Sequence, residues 1–270
     1  MSRPPRWAHP LLILAAVGFS LPIVWMLLSS LKPPGQLESD VLPREWYWGN
    51  YPEVLTSQPY LRFLANSIVL STLNVAGTLA SCTVVAYGFS RIRWPGRGVV
   101  FFVLISTMLL PFHVTMLPRF KLFAAIGLYN TYWPLVLPSW FAGEAFYVFL
   151  LRQFFLTIPE ELCEAARLDG AGEWTILTRI IVPLSWPALA TVALFQFLHT
   201  WNEFAGPLLY LNEPSKFPLA YALQQFVSAY HTEFGPLMAG AVMFTAPVIL
   251  LFFLAQKTFI RGIATTGLKG

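Results

Sequence analysis

The chain has 270 residues, of which 56% are hydrophobic and only 11% charged, with a net charge of +4. A soluble domain carries about 25% charged residues. With a mean hydropathy of +0.61, the composition excludes an ordinary soluble globule and makes the bilayer the expected solvent.

An uncharged run of roughly 20 residues is needed to span a bilayer. Ala8–Leu31 is the first such run. Arg3 and Arg6 precede it in the manner of a signal peptide, but the run is too long for that, and no small-residue cleavage site follows at LKPPGQ. It reads as an anchor. Lys32–Arg62 is polar and aromatic, an external loop carrying interface-loving Trp46, Tyr47 and Trp48. Phe63–Ser90 is the second span, with Asn66 and Asn74 placed for interhelical hydrogen bonds. Gly98–Pro118 is the third, with Pro111 and His113 near its outer end, His113 reading as a hydrogen-bonded helix-end residue. Thr131–Leu151 is the fourth and contains Glu144.

A charged stretch that is not a span follows, PEELCEAARLDGAGEWTILTRIIVPLSWP from Pro159 to Pro187. Thr157-Ile158-Pro159-Glu160 fits a capping box with Thr157 as N-cap. Glu160, Glu164 and Arg167 fall on one helical face; Leu162, Ala165 and Ala166 fall on the other. Asp169-Gly170 breaks the helix, with Gly170 in the left-handed conformation and Asp169 placed to cap a second helix, Glu173 to about Val182. The spacing therefore predicts two short helices and a glycine elbow at the membrane surface. The small Ala165-Ala166 pair allows close approach by another surface, and Glu164 and Asp169 offer polar anchors. Leu184–Trp201 is the fifth span, then comes a loop of about thirty residues to Glu233, and Pro236–Gln256 is the sixth.

With the N-terminus inside, the cytoplasmic segments hold Arg3, Arg6, Arg91, Arg93, Arg97, Arg152, Arg167, Arg179, Lys257, Arg261 and Lys269, eleven of the seventeen basic residues. The positive-inside bias thus favours six spans with both termini cytoplasmic. The two cysteines lie far apart, Cys82 in an apolar run and Cys163 in the charged stretch, so a disulfide framework is excluded and both read as reduced thiols. There is no P-loop, metal-ligand spacing or Ser/His/Asp arrangement, and so no visible enzyme, cofactor site or nucleic-acid site.

EAARLDGA followed by IVPLSWPAL resembles the cytoplasmic coupling motif of the membrane subunits of binding-protein-dependent ABC importers. LPFHVTMLPRFKLFAAIGLYNTYWPLVLP, FYVFLLRQFFLTIPEEL, FLHTWNEFAGPLLYLNE and FIRGIATTGLKG resemble its carbohydrate branch, the maltose and multiple-sugar kind, over about residues 62–270. The resemblance implies an all-α polytopic membrane protein with the type I importer fold. Its domains are a first span and external loop (1–61), a transmembrane domain (62–258) with the coupling element at 157–182, and a cytoplasmic tail (259–270). It implies as partners a second, generally different, membrane subunit, two ATP-binding subunits and an external solute-binding protein, in a bacterial inner membrane. In that family the two short helices dock into a cleft of the ATPase, which points to Glu164, Ala165, Ala166, Asp169, Gly170 and Ala171 as coupling residues.

For the solute path, Glu144 stands out as an ionisable residue within a span, about 12 Å deeper than Arg152 along a helix. Phe141-Ala142-Gly143 before it can loosen the helix. A place facing a partner subunit or a water-filled cavity stays open beside the pathway reading. Trp201, Asn202 and Glu203, with His199, suit sugar recognition by an aromatic face and planar polar groups, and equally suit an interfacial belt with a helix cap. Alternative functions are an importer of another solute such as glycerol phosphate, for which basic residues within spans are lacking, and an ion-coupled secondary transporter, for which internal repeats and a basic mate for Glu144 are lacking.

Overall fold

The computed structural model describes residues 7–36, 40–229 and 234–266. Arg3, Arg6, Lys269 and the expected loop end at Glu233 lie outside these. The described residues form helices and connections, with no strand among them. Among the described residues four stretches are long and apolar enough to cross a membrane: His9–Ser29, Tyr60–Ser90, Trp133–Thr157 and Phe234–Leu254. Two further helix pairs qualify if each is one bent span, which gives up to six. The chain divides into two compact units, Met1–Arg62 with Ala222–Ile249, and Phe63–Tyr221 with Leu250–Gly270.

In the first unit, α1 (Ala8–Ser29) leaves its apolar side chains exposed, as a lipid-facing helix does. The expected external loop contains a short helix, α2 (Asn50–Ser57). Its first residue explains why it is there. The Asn50 amide donates to the Ser30 and Lys32 carbonyls at 2.8 and 2.9 Å, satisfying groups that the end of α1 leaves unpaired. Lys32 is buried, its ammonium 5.8 Å from the ring centres of both Trp25 and Phe234.

The second unit begins with α3 (Tyr60–Ser90), which starts just before it and runs uninterrupted. The expected third span is not straight. Helix α4 (Arg97–Ser106) and a short 3₁₀ turn to Leu109 are followed by α5 (Phe112–Ala125) at a 101° bend. Pro111 causes it: the residue before proline is pushed out of the helical region, and Leu110 sits at φ −78°, ψ 115°. The fourth span is divided into α6 (Trp133–Trp140) and α7 (Ala145–Thr157). Next come α8 (Glu160–Leu168), α9 (Glu173–Ile176), a π turn (Leu177–Ile181) and α10 (Val182–Leu184). Helix α11 (Trp186–Asn202) leaves this run at an 80° bend. Pro183 has no N–H for the carbonyl four residues back, and the widened turn lies just before it.

The expected thirty-residue loop holds α12 (Ala205–Tyr210), a 3₁₀ turn (Pro214–Lys216) and α13 (Leu219–Ala229). Helix α14 (Phe234–Thr266) passes well beyond the expected end of the last span. Asn66 reaches a connection and not another span, its amide donating to the Ser215 and Phe217 carbonyls in and after the 3₁₀ turn at 2.9 and 3.0 Å.

The core of the second unit lies where α3, α7, α8, α9 and α11 meet. Ala86, Val148, Leu151, Phe155, Cys163, Ile176, Ile181 and Val192 are fully buried there. Both cysteines are free and buried.

The break between α6 and α7 depends on close backbone approach. The Gly143 N–H donates to the Pro138 carbonyl at 2.9 Å, and a Cβ on Gly143 would lie 2.6 Å from that same oxygen. The preceding Ala142 has a φ of 53°. Its N–H donates to the Ser81 hydroxyl on α3 at 3.1 Å, and that hydroxyl donates to the Ser139 carbonyl at 2.7 Å. One serine thus serves two backbone groups that the break would otherwise strand. Gly143→Ala is expected to destabilise the chain by about 1–3 kcal/mol. A thermal melt of the detergent-solubilised protein that matches the wild type would show that the break can relax.

Candidate functional site

The charged stretch folds as two short helices about an elbow. Helix α8 does not begin at a Thr157 capping box. Thr157 ends α7, its hydroxyl donating to the Phe154 carbonyl at 2.7 Å, and extended Pro159 precedes the first turn of α8. Ile158, held extended before proline, makes the joint. The Glu160 carboxylate that would have closed the box is turned to Arg91 and Arg167 instead.

One side of α8 packs inward. Cys163 is fully buried and Ala166 half-buried against the core, whereas Leu162 and Ala165 are exposed. The outward side carries Glu161, Glu164, Ala165 and Leu168, the last 90% exposed, with Trp174 of α9 exposed nearby in sequence. The inward cysteine sets the phase, because one fully packed residue fixes the rotation of so short a helix.

Gly170 has a φ of +82°, as the elbow requires. The Ala171 N–H donates to the Ala166 carbonyl at 2.9 Å and the Gly170 N–H to that of Arg167 at 3.0 Å, a Schellman closure. Asp169 ends α8 rather than capping the second helix, which Gly172 precedes directly. Asp169 and Gly170 are exposed and Ala171 is half-buried.

Behind the elbow lies a network that the sequence did not point to. Arg91, just past α3, is buried. Its guanidinium donates to the carbonyls of Phe155 and Ile158 at the end of α7, and to the Glu160 carboxylate. Arg167 bonds Glu160 at 3.2 Å and Glu173 at 2.9 Å. The Tyr87 hydroxyl on α3 donates to Glu173. Burial would raise the Glu160 carboxyl, but the hydrogen bonds from Arg91 and Arg167 outweigh it and hold the group below its ordinary range. By sequence alone Arg91 is one basic residue among those expected inside. Its partners lie 64 to 69 residues away, so no local spacing could reveal them.

A cavity of about 330 Å³ lies nearer the opposite end of α3. Ser67, Leu70 and Asn74 of α3 line it, with Met116 and Arg119 of α5, Pro134, Leu135 and Ser139 of α6, and Glu144 at the break. Gln196, His199 and Thr200 of α11, Glu203, and Gly206, Pro207 and Tyr210 of α12 complete much of the wall. Glu144 is therefore not inside a continuous helix. It precedes α7 in an extended conformation, at the mouth of the break.

Asn74 accepts a hydrogen bond from the Ser139 hydroxyl and donates to the Leu70 carbonyl at 3.0 Å. Glu203 accepts from the Gly206 N–H in the first turn of α12 at 2.7 Å. Trp201 is buried and stacked on Phe197, with centroids 5.3 Å apart, and the exposed Asn202 donates to the Leu198 carbonyl at 2.8 Å. Neither lines the cavity, and nor does His113, which is exposed beside Phe112. Gln196, hidden in an apolar span, was missed. Among the described residues no group of three His, Cys, Asp or Glu side chains is placed to hold a metal ion.

Comparison with known proteins places these features. The family described as "Binding-protein-dependent transport system inner membrane component" matches residues 1–265. The chain is 33% identical over 258 residues to the arabinooligosaccharides transport system permease protein AraQ of Bacillus subtilis, covering 93% of this chain and 91% of that one. It is 30% identical over 261 residues to the diacetylchitobiose uptake system permease protein NgcG of Streptomyces coelicolor, covering 95% and 86%. A crystal structure of a bacterial ABC transporter involved in the import of the acidic polysaccharide alginate contains a chain of the same fold. It is 27% identical with a TM-score of 0.79, over 96% of this chain and all of that one. The chain belongs to the binding-protein-dependent transport system inner membrane component family, and is a multi-pass membrane protein of that class.

Replacing Arg91 by Met leaves the Phe155 and Ile158 carbonyls without their donor and the Glu160 carboxylate with Arg167 alone, and is expected to lower stability by about 1–3 kcal/mol. Tyr87→Phe removes one hydroxyl and is expected to cost about 1 kcal/mol. Melting temperatures of the two purified variants in one detergent check the ranking. A larger loss in Tyr87→Phe would show that Arg91 is not the main tie.

Proposed function

We propose that the chain is one of the membrane-spanning subunits of an ATP-driven importer of a sugar or oligosaccharide, working beside a second, different membrane subunit. An external binding protein delivers the solute, as the family's name supports. The sugar assignment rests on the full-length likeness to permeases for arabinooligosaccharides and diacetylchitobiose. Family membership sets aside the ion-coupled alternative.

The observation that carries the mechanism is the elbow at Gly170, with its exposed outer face and its buried ties to α3 and α7. In the proposed role, ATP hydrolysis belongs to two separate ATP-binding subunits. Glu164, Ala165, Asp169 and Gly170 meet an ATPase, supported by exposed Leu168, while Ala166 and Ala171 hold the element against the core. Because Arg91 and Arg167 tie α8 and α9 to α3, a push on the elbow reaches the spans as a rigid displacement, not a local bend. Glu144 and Glu203 belong to the solute path in this reading; Trp201 buttresses that end of α11, and Asn202 closes its last turn.

Gly170→Val tests the coupling. A left-handed β-branched residue costs about 1–2 kcal/mol or more, and no atom lies within 4 Å of the added Cβ, so the strain is in the backbone alone. Membrane insertion and protein level are expected to stay normal, with sugar uptake falling sharply and the ATPase either detached or hydrolysing without transport. Glu164→Lys acts in the same direction. Normal uptake and normal co-purification of the ATPase in both variants would reduce the element to a connector.

Orientation is tested with a reporter active only outside the cell. It is expected to be silent after Gly270 and active when inserted near Asn212. The reverse pattern would overturn the assignment of both termini to the cytoplasm.

A further inference from the structure

Not every arginine near this end of α3 belongs to the network behind the elbow. Arg91 and Arg167 are ion-paired, whereas Arg97 and Arg152 take part in no ion pair among the described residues. Arg152 is half-buried on α7, more than a turn before its end, in a stretch apolar enough to span. Its Nε donates to the Phe89 carbonyl of α3 at 3.1 Å, and its guanidinium lies 4.2 Å from the centre of the Phe101 ring on α4. These contacts hold the group in place. Its two terminal nitrogens make no hydrogen bond among the described residues, and neither is sealed in the core.

Arg97 opens α4, and its charge acts on that of Arg152. One of its terminal nitrogens donates to the Ile92 carbonyl at 3.0 Å, and the other is unused among the described residues. Two like charges brought together repel, and a cation within a span is costly without a partner. An anion between them removes both costs. The flanking surface selects the kind of anion. From Arg152 the seam between α4 and α7 runs on as apolar surface: Phe149, one turn away on α7, stacks on Phe101 with centroids 6.5 Å apart. Val99, Phe102 and Val103 of α4 are exposed, and no residue of that helix is fully buried. Half-buried Trp94 stands at the charged end, its indole donating to the Gly88 carbonyl at 3.2 Å, and tryptophan favours the level of lipid headgroups. Charge at one end and apolar surface beyond it match an amphiphile.

We propose that Arg97 and Arg152 bind the phosphodiester of an anionic phospholipid, with an acyl chain lying along the α4–α7 seam. Basic pockets between spanning helices hold such headgroups. The guanidinium of Arg152, already placed by Phe101 and the Phe89 carbonyl, presents its free N–H groups to phosphate oxygens, a geometry that guanidinium fits and a point charge does not. The bound lipid ties the start of α4 to α7 and, through the Phe89 carbonyl, to the end of α3. The site does not depend on the identity of the solute. Only the leaflet depends on the proposed orientation: with both termini cytoplasmic, the lipid is drawn from the inner one.

The test uses the complete transporter, purified in detergent with its partner subunits and stripped of lipid. Dioleoyl phosphatidylglycerol and dioleoyl phosphatidylcholine, identical chains with different headgroup charge, are titrated in, and bound lipids are counted by native mass spectrometry. Phosphatidylglycerol is expected to bind about tenfold more tightly. Arg97→Gln and Arg152→Gln are each expected to weaken it about fivefold and to leave phosphatidylcholine unchanged. Arg179→Gln, which removes an exposed cation away from the seam, is expected to change neither. Arg97→Gln gives up one backbone bond alone, so it decides the matter if Arg152→Gln does not assemble. Equal affinity for the two lipids, or an equal loss in Arg179→Gln, would overturn the site and leave surface charge only. Displacement of the lipid by millimolar inorganic phosphate would overturn it in favour of a free anion. Loss of the second membrane subunit from Arg97→Gln, with lipid preference unchanged, would overturn it in favour of a carboxylate on that subunit. The permease reading is judged separately, on uptake and on co-purification of the ATPase.

Discussion

A buried guanidinium is the constraint around which the α7–α8 joint is built. Arg91 is 7% exposed, and a charge so enclosed is tolerable only with partners at hand. It finds them at the end of α7 and the start of α8, the joint where backbone carbonyls have no helical N–H to receive. One side chain thus satisfies its own charge, the frayed end of a span and the first carboxylate of the next helix. Arg167, Glu173 and Tyr87 extend the same bonding to α9 and back to α3. The apolar core continues across the joint through Phe155, Ile158, Cys163 and Ile176. The pair of short helices about Gly170 is therefore an outgrowth of the span packing, not a loop laid against it.

The breaks in the spans follow a second rule. In a bilayer, irregular backbone is tolerated where it is buried in protein or lines a cavity. In the gap between α6 and α7, Ser81 and the Pro138 carbonyl take up the freed groups, and Glu144 emerges beside the cavity. The bend at Pro111 brings Phe112, Met116 and Arg119 to the same cavity wall. Proline supplies the interruption in one case and close glycine approach supplies it in the other. Both place polar side chains where a continuous helix would have presented lipid-facing ones.

Much of this was legible in the chain itself. Span existence and the elbow at Gly170 depend on residues within a few positions of one another, and hydropathy and φ preference act at that range. The local resemblance carried by EAARLDGA was sufficient to name the family that full-length comparison then showed. Local reasoning misjudged Thr157, because its box partner Glu160 turns to distant Arg91, and Asp169, because the closure at Gly170 leaves it at the end of α8.

What only the tertiary structure decided is which distant groups meet. The sequence by itself determined an apolar helical chain with a surface elbow, because those properties are sums over neighbours. The cavity gathers α3, α5, α6, α11 and α12, and the choice of Gln196 over equally polar Asn202 as its wall depends on helix rotation within the packed unit. Arg91 likewise looked like any inside-facing charge until α7 and α8 closed around it. Side chains that far apart in sequence come together only when the core excludes every other arrangement.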